Sequence, residues 1–198
     1  MALEDIKFRF YPSLLNQYDR FLEGKLSEND LLDRINRVPI PQTEAQAKGV
    51  SFEDAVLKGV EEELYDAEII KKVRALLPRP MMKTQVYCEY QWKDVLIYGY
   101  VDVIGKMLAA DIKTTKQYTA DAFAVSHQNL YLPALKSKGI RSLRYVITDF
   151  SEVYQEEYDQ TVDLSFQLNQ IETFCDFLEE NRKRVSDLRI FNLHPKKW

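Results

Sequence analysis

The sequence predicts an α/β fold, a central mixed sheet flanked by helices, and three observations carry that expectation. Apolar residues recur at helical spacing through most of the first 80 positions. From Lys83 the pattern changes to alternation rich in β-branched and aromatic residues, the signature of strands. After Asp163 helical spacing returns. At 198 residues and 45% apolar content the chain fits one compact domain. Its expected parts are a mainly helical elaboration over 1–80, a sheet core over 81–160, and a C-terminal helix and tail over 161–198. There is no internal repeat and no low-complexity tract.

The first helix is expected over PSLLNQYDRFLEG and the second over SENDLLDRINRV, where Ser27 followed by Asp30 suits a helix N-terminus. Pro39 and Pro41 separate it from a third, read across TEAQAKGVSFEDAVLKGVEEELY, and Pro78 and Pro80 close a fourth, DAEIIKKVRALL. Three strands follow in TQVYCEYQW, DVLIYGYVDVIG and KMLAADIKTT, with Lys93-Asp94 and Gly105-Lys106 as hairpin turns, so an antiparallel meander is implied. A helix over TADAFAVSHQNLYLPALKSKG closes at Gly139, and LRYVITDF and VYQEEYD read as two more strands. From Asp163 to about Val185, Leu164, Leu168, Ile171, Phe174, Phe177 and Leu178 mark a helix that packs on the sheet.

Composition narrows the function classes. Cys88 and Cys175 match neither a zinc spacing nor a redox motif and read as reduced core residues. No leader-like segment and no membrane-length apolar run is visible, so a cytoplasmic protein without membrane association is expected. A Gly-rich phosphate loop is also missing, which argues against an ATP-driven motor. The net charge of −4 does not advertise a nucleic-acid binder, but its distribution is uneven: residues 81–145 carry +4 between acidic flanks.

That basic segment contains the residues with chemistry. If Gly105-Lys106 is a two-residue turn, Ile104 faces Met107 and Asp102 faces Ala109, which puts Asp102, Asp111 and Lys113 on one face of the hairpin. The two carboxylates are then diagonal neighbours, roughly 7–8 Å apart at the backbone. Val95, Ile97, Val101 and Val103 occupy the other face, as a sheet packed on helices requires. Two close carboxylates repel, one lysine relieves only part of that cost, and a hard divalent cation with oxygen ligands relieves the rest.

The string GYVDVIGKMLAADIKTTK resembles the core of the PD-(D/E)XK nuclease superfamily, and the surrounding chain resembles its RecB-like and phage-exonuclease branch, from about Gly49 to Tyr131. The resemblance implies a restriction-endonuclease-like core. Asp102 and Asp111 take the acidic metal-ligand positions, Lys113 takes the catalytic lysine, and the Ile112 carbonyl is a further ligand for one or two Mg²⁺ or Mn²⁺ ions. Val101 stands where the family pattern has proline. Upstream, Gly49 and Glu53 fit a glycine–acid spacing that makes Glu53 a third acidic group, against the plainer reading of a solvated acidic face with Asp54 and Glu61 to Glu63. Downstream, Gln128 and Tyr131 resemble the branch's glutamine–tyrosine pair at a spacing of three rather than four. They are expected to contact a DNA strand, with a buried, packing Tyr131 as the alternative.

Thr115 and Lys116, with Thr114, extend the basic strand end and can hold a phosphate through hydroxyl and ammonium donors; a plain strand terminus is the alternative. Lys136, Lys138, Arg141 and Arg144 are candidates for a DNA-tracking rim or a generic surface. His127 and His194 have no partner at metal-ligand spacing, and Arg182 to Arg184 end a helix, where cations also complement the dipole. The expectation is a Mg²⁺- or Mn²⁺-dependent deoxyribonuclease, an exonuclease of phage or bacterial recombination or repair type. A recombinase, single-strand-binding protein or helicase on another chain is its expected partner, and a homo-oligomer is open. The competing reading is a catalytically silent DNA- or protein-binding module of the same fold; a structural assembly protein, marked by a large exposed apolar patch, is a third.

Overall fold

A computed structural model describes residues 6–193, so His194 lies outside the described residues. The helices form where caps and apolar stripes coincide. Helix α1 (Pro12–Leu22) opens on a proline, whose missing N–H costs nothing at a first helical position. Helix α2 (Glu28–Ile35) is capped by Ser27, which accepts the Asp30 N–H at 3.1 Å. A capping box between Thr43 and Gln46 starts α3 (Glu44–Lys58). The expected continuation of α3 to Tyr65 does not occur, because Gly59 adopts the left-handed conformation (φ 72°) that terminates helices. A short 3₁₀ turn follows at Glu62–Leu64, and Asp66 caps α4 (Ala67–Leu76). No helix among the described residues is long and apolar enough to cross a membrane.

The fold is α/β, a mixed six-stranded sheet flanked by helices. Its strands are β1 (Phe8–Phe10), β2 (Lys83–Trp92), β3 (Val95–Ile104), β4 (Leu108–Thr114), β5 (Ser142–Thr148) and β6 (Val153–Asp159). Strand β1 was not legible as a strand; it is three residues long and pairs in parallel with Val95–Ile97. The β2–β3 hairpin turns at Lys93-Asp94, as expected, with Trp92 opposite Val95. Strands β4 and β5 are parallel, and β6 returns antiparallel at the edge.

Strand β3 has three partners. Strand β2 runs along nearly its whole length on one edge, so β1 and β4 must share the other. Strand β1 takes Val95–Ile97, whereas β4 pairs only at Val103↔Ala110 and Ile104↔Ala109. Between them that edge is split, and Asp102 stands at the mouth of the split. The β3–β4 register corrects the expected one: Gly105 N–H bonds to the Leu108 carbonyl at 2.8 Å, so the turn is Lys106-Met107, one residue further on. Gly105 serves packing instead, since a Cβ there would lie 2.6 Å from Pro78 Cβ.

Three apolar clusters fill the layers. One joins β1 and the start of β3 to α1, α2 and α6 (Ser165–Glu180), with Phe10, Tyr18 and Phe177 each in ring contact with Phe174. A second lies under α5 (Tyr131–Lys136), and a third joins α3 and α4 to Val103, Ala110, Ile112 and Val146. The single apolar face expected for β3 is therefore divided: Val95 and Ile97 serve the first cluster, Val101 the second and Val103 the third. The helix expected over 119–139 is also cut down to a 3₁₀ turn (His127–Leu130) and the six residues of α5. Asp121 is left-handed (φ 60°), and the buried Asn129 amide donates at 2.9 Å to the carbonyls of Phe123 and Ala124, which fixes the chain in turns.

Candidate active site

The site forms where the β3–β4 ladder stops. Continuing the observed register brings Asp102 directly opposite Asp111 rather than diagonal to it. The backbone ladder ends one step earlier because the Asp102 carboxylate enters it: Oδ2 accepts the Ile112 N–H at 2.7 Å. A carboxylate placed between two strands in this way is buried, and Asp102 and Asp111 are 8% and 3% exposed. Lys113, two residues on, forms an ion pair with Asp111 Oδ2.

Glu53 arrives from the other layer. Helix α3 is anchored by Phe52, Ala55 and Val56 in the third cluster, and Gly49, one turn earlier, lets it approach the end of β4 closely. A Cβ on Gly49 would meet Thr114 Oγ1 at 3.0 Å. Gln85 then ties the layers together. It lies opposite Asp102 on β2 by continuation of the hairpin register, in the left-handed conformation (φ 49°). From there its amide donates to Glu53 Oε1 at 2.7 Å and to Asp102 Oδ1 at 3.2 Å. Gln85 escaped the sequence reading, although extending the Lys93-Asp94 turn would have placed it across from Asp102.

The electrostatics follow from burial and like charge. Burial first, then Asp111 and Glu53, push the Asp102 carboxyl up to about 8. Burial and then Asp111 raise Glu53 also. Burial pulls the Lys113 ammonium down, but Asp111, Asp102 and Glu53 outweigh it and hold the group above its ordinary value. Three carboxylates thus face one ammonium, and the set calls for more positive charge than Lys113 supplies.

A hard divalent cation fits this donor set by chemistry, since every acidic donor is oxygen, both aspartates are buried, and Asp111 Oδ2 has the ion pair but no hydrogen bond. No group of three or more His, Cys, Asp or Glu side chains among the described residues is arranged to hold a metal as it stands. Two carboxylates suffice for Mg²⁺, which completes its shell with water and phosphate. Glu53 is turned to Gln85, and the Ile112 N–H is committed to Asp102.

The remaining candidates separate. Thr115 and Lys116 border a groove that opens from Glu53 and Lys113; Thr115 Oγ1 donates to the Gln117 carbonyl at 2.8 Å, and Lys116 is exposed. Gln128 is half-buried, its amide oxygen accepting from Ser126 Oγ at 2.8 Å. Tyr131 is 7% exposed and packs beneath β3, where a Cβ on Gly99 would meet its ring at 2.8 Å. The buried alternative describes Tyr131, and a strand of DNA could not reach it directly. Arg144 is paired with Glu157 at 2.7 Å and bonded to the Leu76 carbonyl, so it is structural rather than part of a free rim. His127 is a buried residue bonded through Nδ1 to Asn16 Oδ1 at 2.7 Å.

Comparison with known proteins places the fold. No protein-family profile matches the chain, and no curated protein sequence matches it. Among solved structures, LHK-Exo in complex with dAMP superposes with a TM-score of 0.51 at 11% identity, over 94% of this chain and 94% of that one. A protein named as an exonuclease from Eubacterium rectale gives 0.48 at 13% identity, over 98% and 85%, too loose a likeness to argue from. The mixed sheet and its flanking helices therefore share the overall α/β arrangement of LHK-Exo.

Proposed function

We propose that the chain is a metal-dependent nuclease that hydrolyses DNA phosphodiester bonds, as an exonuclease of recombination or repair type. The observation that carries this reading is the convergence of Asp102, Asp111, Glu53 and Lys113 on the split between β3 and β4, with more acid than the chain's own cation balances. The fold shared with LHK-Exo, whose structure holds dAMP, supports it by analogy.

Asp102 and Asp111 would hold one or two Mg²⁺ or Mn²⁺ ions, with the Ile112 carbonyl as a further oxygen and Glu53 acting directly or through water. When bound, such an ion lowers the pKa of a water it holds and stabilises charge on the phosphodiester. The reaction is in-line attack of water on phosphorus; the bond to the 3′ oxygen breaks and that oxygen takes a proton, leaving a 5′-phosphate and a 3′-hydroxyl. Lys113 contributes a fixed positive charge toward the phosphate and a donor that orients the attacking water. Ile112 N–H and Gln85 hold the Asp102 carboxylate in one orientation, so its geometry is set before substrate arrives. Gln128, Thr115 and Lys116 are the proposed contacts to the strand.

The test is cleavage of end-labelled linear and circular DNA with Mg²⁺, Mn²⁺ or EDTA, repeated on two variants with calorimetric Mn²⁺ titration. Lys113→Ala should keep metal binding nearly intact and lower cleavage by about 10²-fold or more. Asp111→Asn should weaken both, since a neutral amide gives up the charge that holds a cation. If both variants cut like the parent, the activity is not this site's, and a binding module becomes the better reading.

A further inference from the structure

The groove that opens from Glu53 and Lys113 has a volume of about 1090 Å³, far more than one phosphate needs and at the top of the range of small-molecule pockets. Its walls are the first turns of α3, the end of β4 and the β5–β6 turn around Asp149 and Phe150. Besides Lys113, two lysines border it, Lys48 on α3 and Lys116 after β4. Neither forms an ion pair or a side-chain hydrogen bond among the described residues, whereas Lys113 at the head of the same groove is paired with Asp111.

Lys48 is nevertheless held in place. Its ammonium sits over the face of Phe150 at 3.7 Å from the ring centroid, a cation–π contact that fixes a charge without neutralising it. Phe150 itself is strained: a bulky side chain at φ 69° is rare, and it persists because its N–H bonds to Thr148 Oγ1 at 2.9 Å and its ring is wedged against Phe52 and Tyr65. Strain of this kind is maintained where a side chain must be aimed, and here it aims a ring at an ammonium on the wall of the groove.

We propose that this groove is the path of the strand flanking the scissile bond, with Lys48, oriented by Phe150, and Lys116 each neutralising a phosphate of a single-stranded segment. The inference rests on the nuclease reading for its location but not for its chemistry, because phosphate neutralisation requires no cleavage. Lys48 and Lys116 bind, and Phe150 is a positioning residue.

The experiment is fluorescence anisotropy of a labelled single-stranded octanucleotide with the full chain in EDTA, over a range of salt concentrations, beside a cleavage assay with Mg²⁺. Lys48→Gln and Lys116→Gln should each weaken binding by about 3- to 10-fold and flatten the log–log salt dependence by about 0.7, the value of one phosphate on single-stranded nucleic acid. Lys48→Arg should restore the slope, Phe150→Leu should weaken binding by a smaller factor, and Lys25→Gln, outside the groove lining and paired with Glu23, should leave the slope unchanged. A merely structural lysine would alter affinity without altering the salt slope. If both Lys→Gln variants keep the parent's affinity and slope, the groove is not the path, and the nuclease reading stands or falls on the cleavage assay alone. If the parent cuts nothing yet both variants lose slope, the groove stands and hydrolysis falls. A parent that binds no oligonucleotide at low salt overturns the groove as the path, whatever the cleavage assay shows.

Discussion

The two ends of β3 share one strand and one full-length neighbour in β2, yet one end is sealed and the other is reactive. At Val95–Ile97 the free edge is closed by β1, and the side chains run into a cluster of rings around Phe10, Phe174 and Tyr18. At Asp102 the edge is closed by a carboxylate that takes the place of a backbone acceptor. Backbone pairing satisfies its own polar groups and leaves side chains free to be apolar. A side chain that substitutes for the backbone brings its charge into the sheet, and the surroundings must then be polar as well: Lys113, Gln85 and Glu53 are the result.

The sharpest break of this comparison comes at the sealed end. Phe174→Ala should cost about 3–5 kcal/mol of stability, because a fully buried ring packed at 5.0 Å from both Phe10 and Tyr18 leaves a cavity that rigid neighbours cannot fill. Denaturant midpoints measure the loss, and cleavage by the remaining folded protein should be unchanged. A matching loss of activity per folded molecule would show that the ends are coupled. Gly99→Ala, midway along the strand, should cost about 1–3 kcal/mol, since the new methyl meets the Tyr131 ring at 2.8 Å. Adding Tyr131→Phe should recover part of that loss by removing the hydroxyl.

At the reactive end, Gln85→Asn keeps a residue that tolerates the left-handed conformation but shortens the amide so that it no longer spans Glu53 and Asp102. Cleavage should fall by somewhat less than tenfold, about the 1 kcal/mol of one lost hydrogen bond, with the thermal midpoint little changed. Unchanged cleavage would make the bridge a bystander.

The smallest effect is a hidden one in the sealed half. Burial holds the His127 imidazole down to about 4, and burial followed by Glu23 pushes Asp19, 3.5 Å from that ring, up to about 6. For His127 the unfolded chain takes up its proton near the ordinary 6.5 while the folded chain does not, so stability is lost as pH falls from there toward about 4. For Asp19 the folded chain takes up the proton first, so stability is gained as pH falls from about 6 toward 3.8. The two slopes oppose, so the contributions of this pair largely offset each other across that window. Asp19→Asn removes the gain, and its thermal midpoint should drop between about pH 7 and about pH 5 more than the parent's does.

Most of the sheet was legible because alternation, turn residues and caps all pointed the same way: β2, β3 and β4 fall within a residue or two of their expected limits. Strand β1 was hidden because three residues carry no periodicity and its partner is remote in sequence. The long helix over 119–139 failed for a different reason. Its apolar spacing is satisfied by turns once Asn129 bonds back to Phe123 and Ala124, a competition between side chain and backbone that spacing does not register. At the site, the shared face of Asp102 and Asp111 was legible from strand parity, but Gln85 owes its place to a left-handed backbone that no residue pattern in β2 announces.

The displaced β3–β4 turn has a consequence for how this hairpin can change length. Moving a turn by one residue slides the opposed strand by two, so every side chain returns to its own face. That is why Lys106-Met107 and Gly105-Lys106 give the same grouping of Asp102 with Asp111. An insertion or deletion of two residues in this link is therefore a quiet event for the acidic pair, whereas a single one, with the turn kept at two residues, sends Asp111 and Lys113 to the opposite face together. With that turn the hairpin counts residues in twos, and its chemistry survives the even steps.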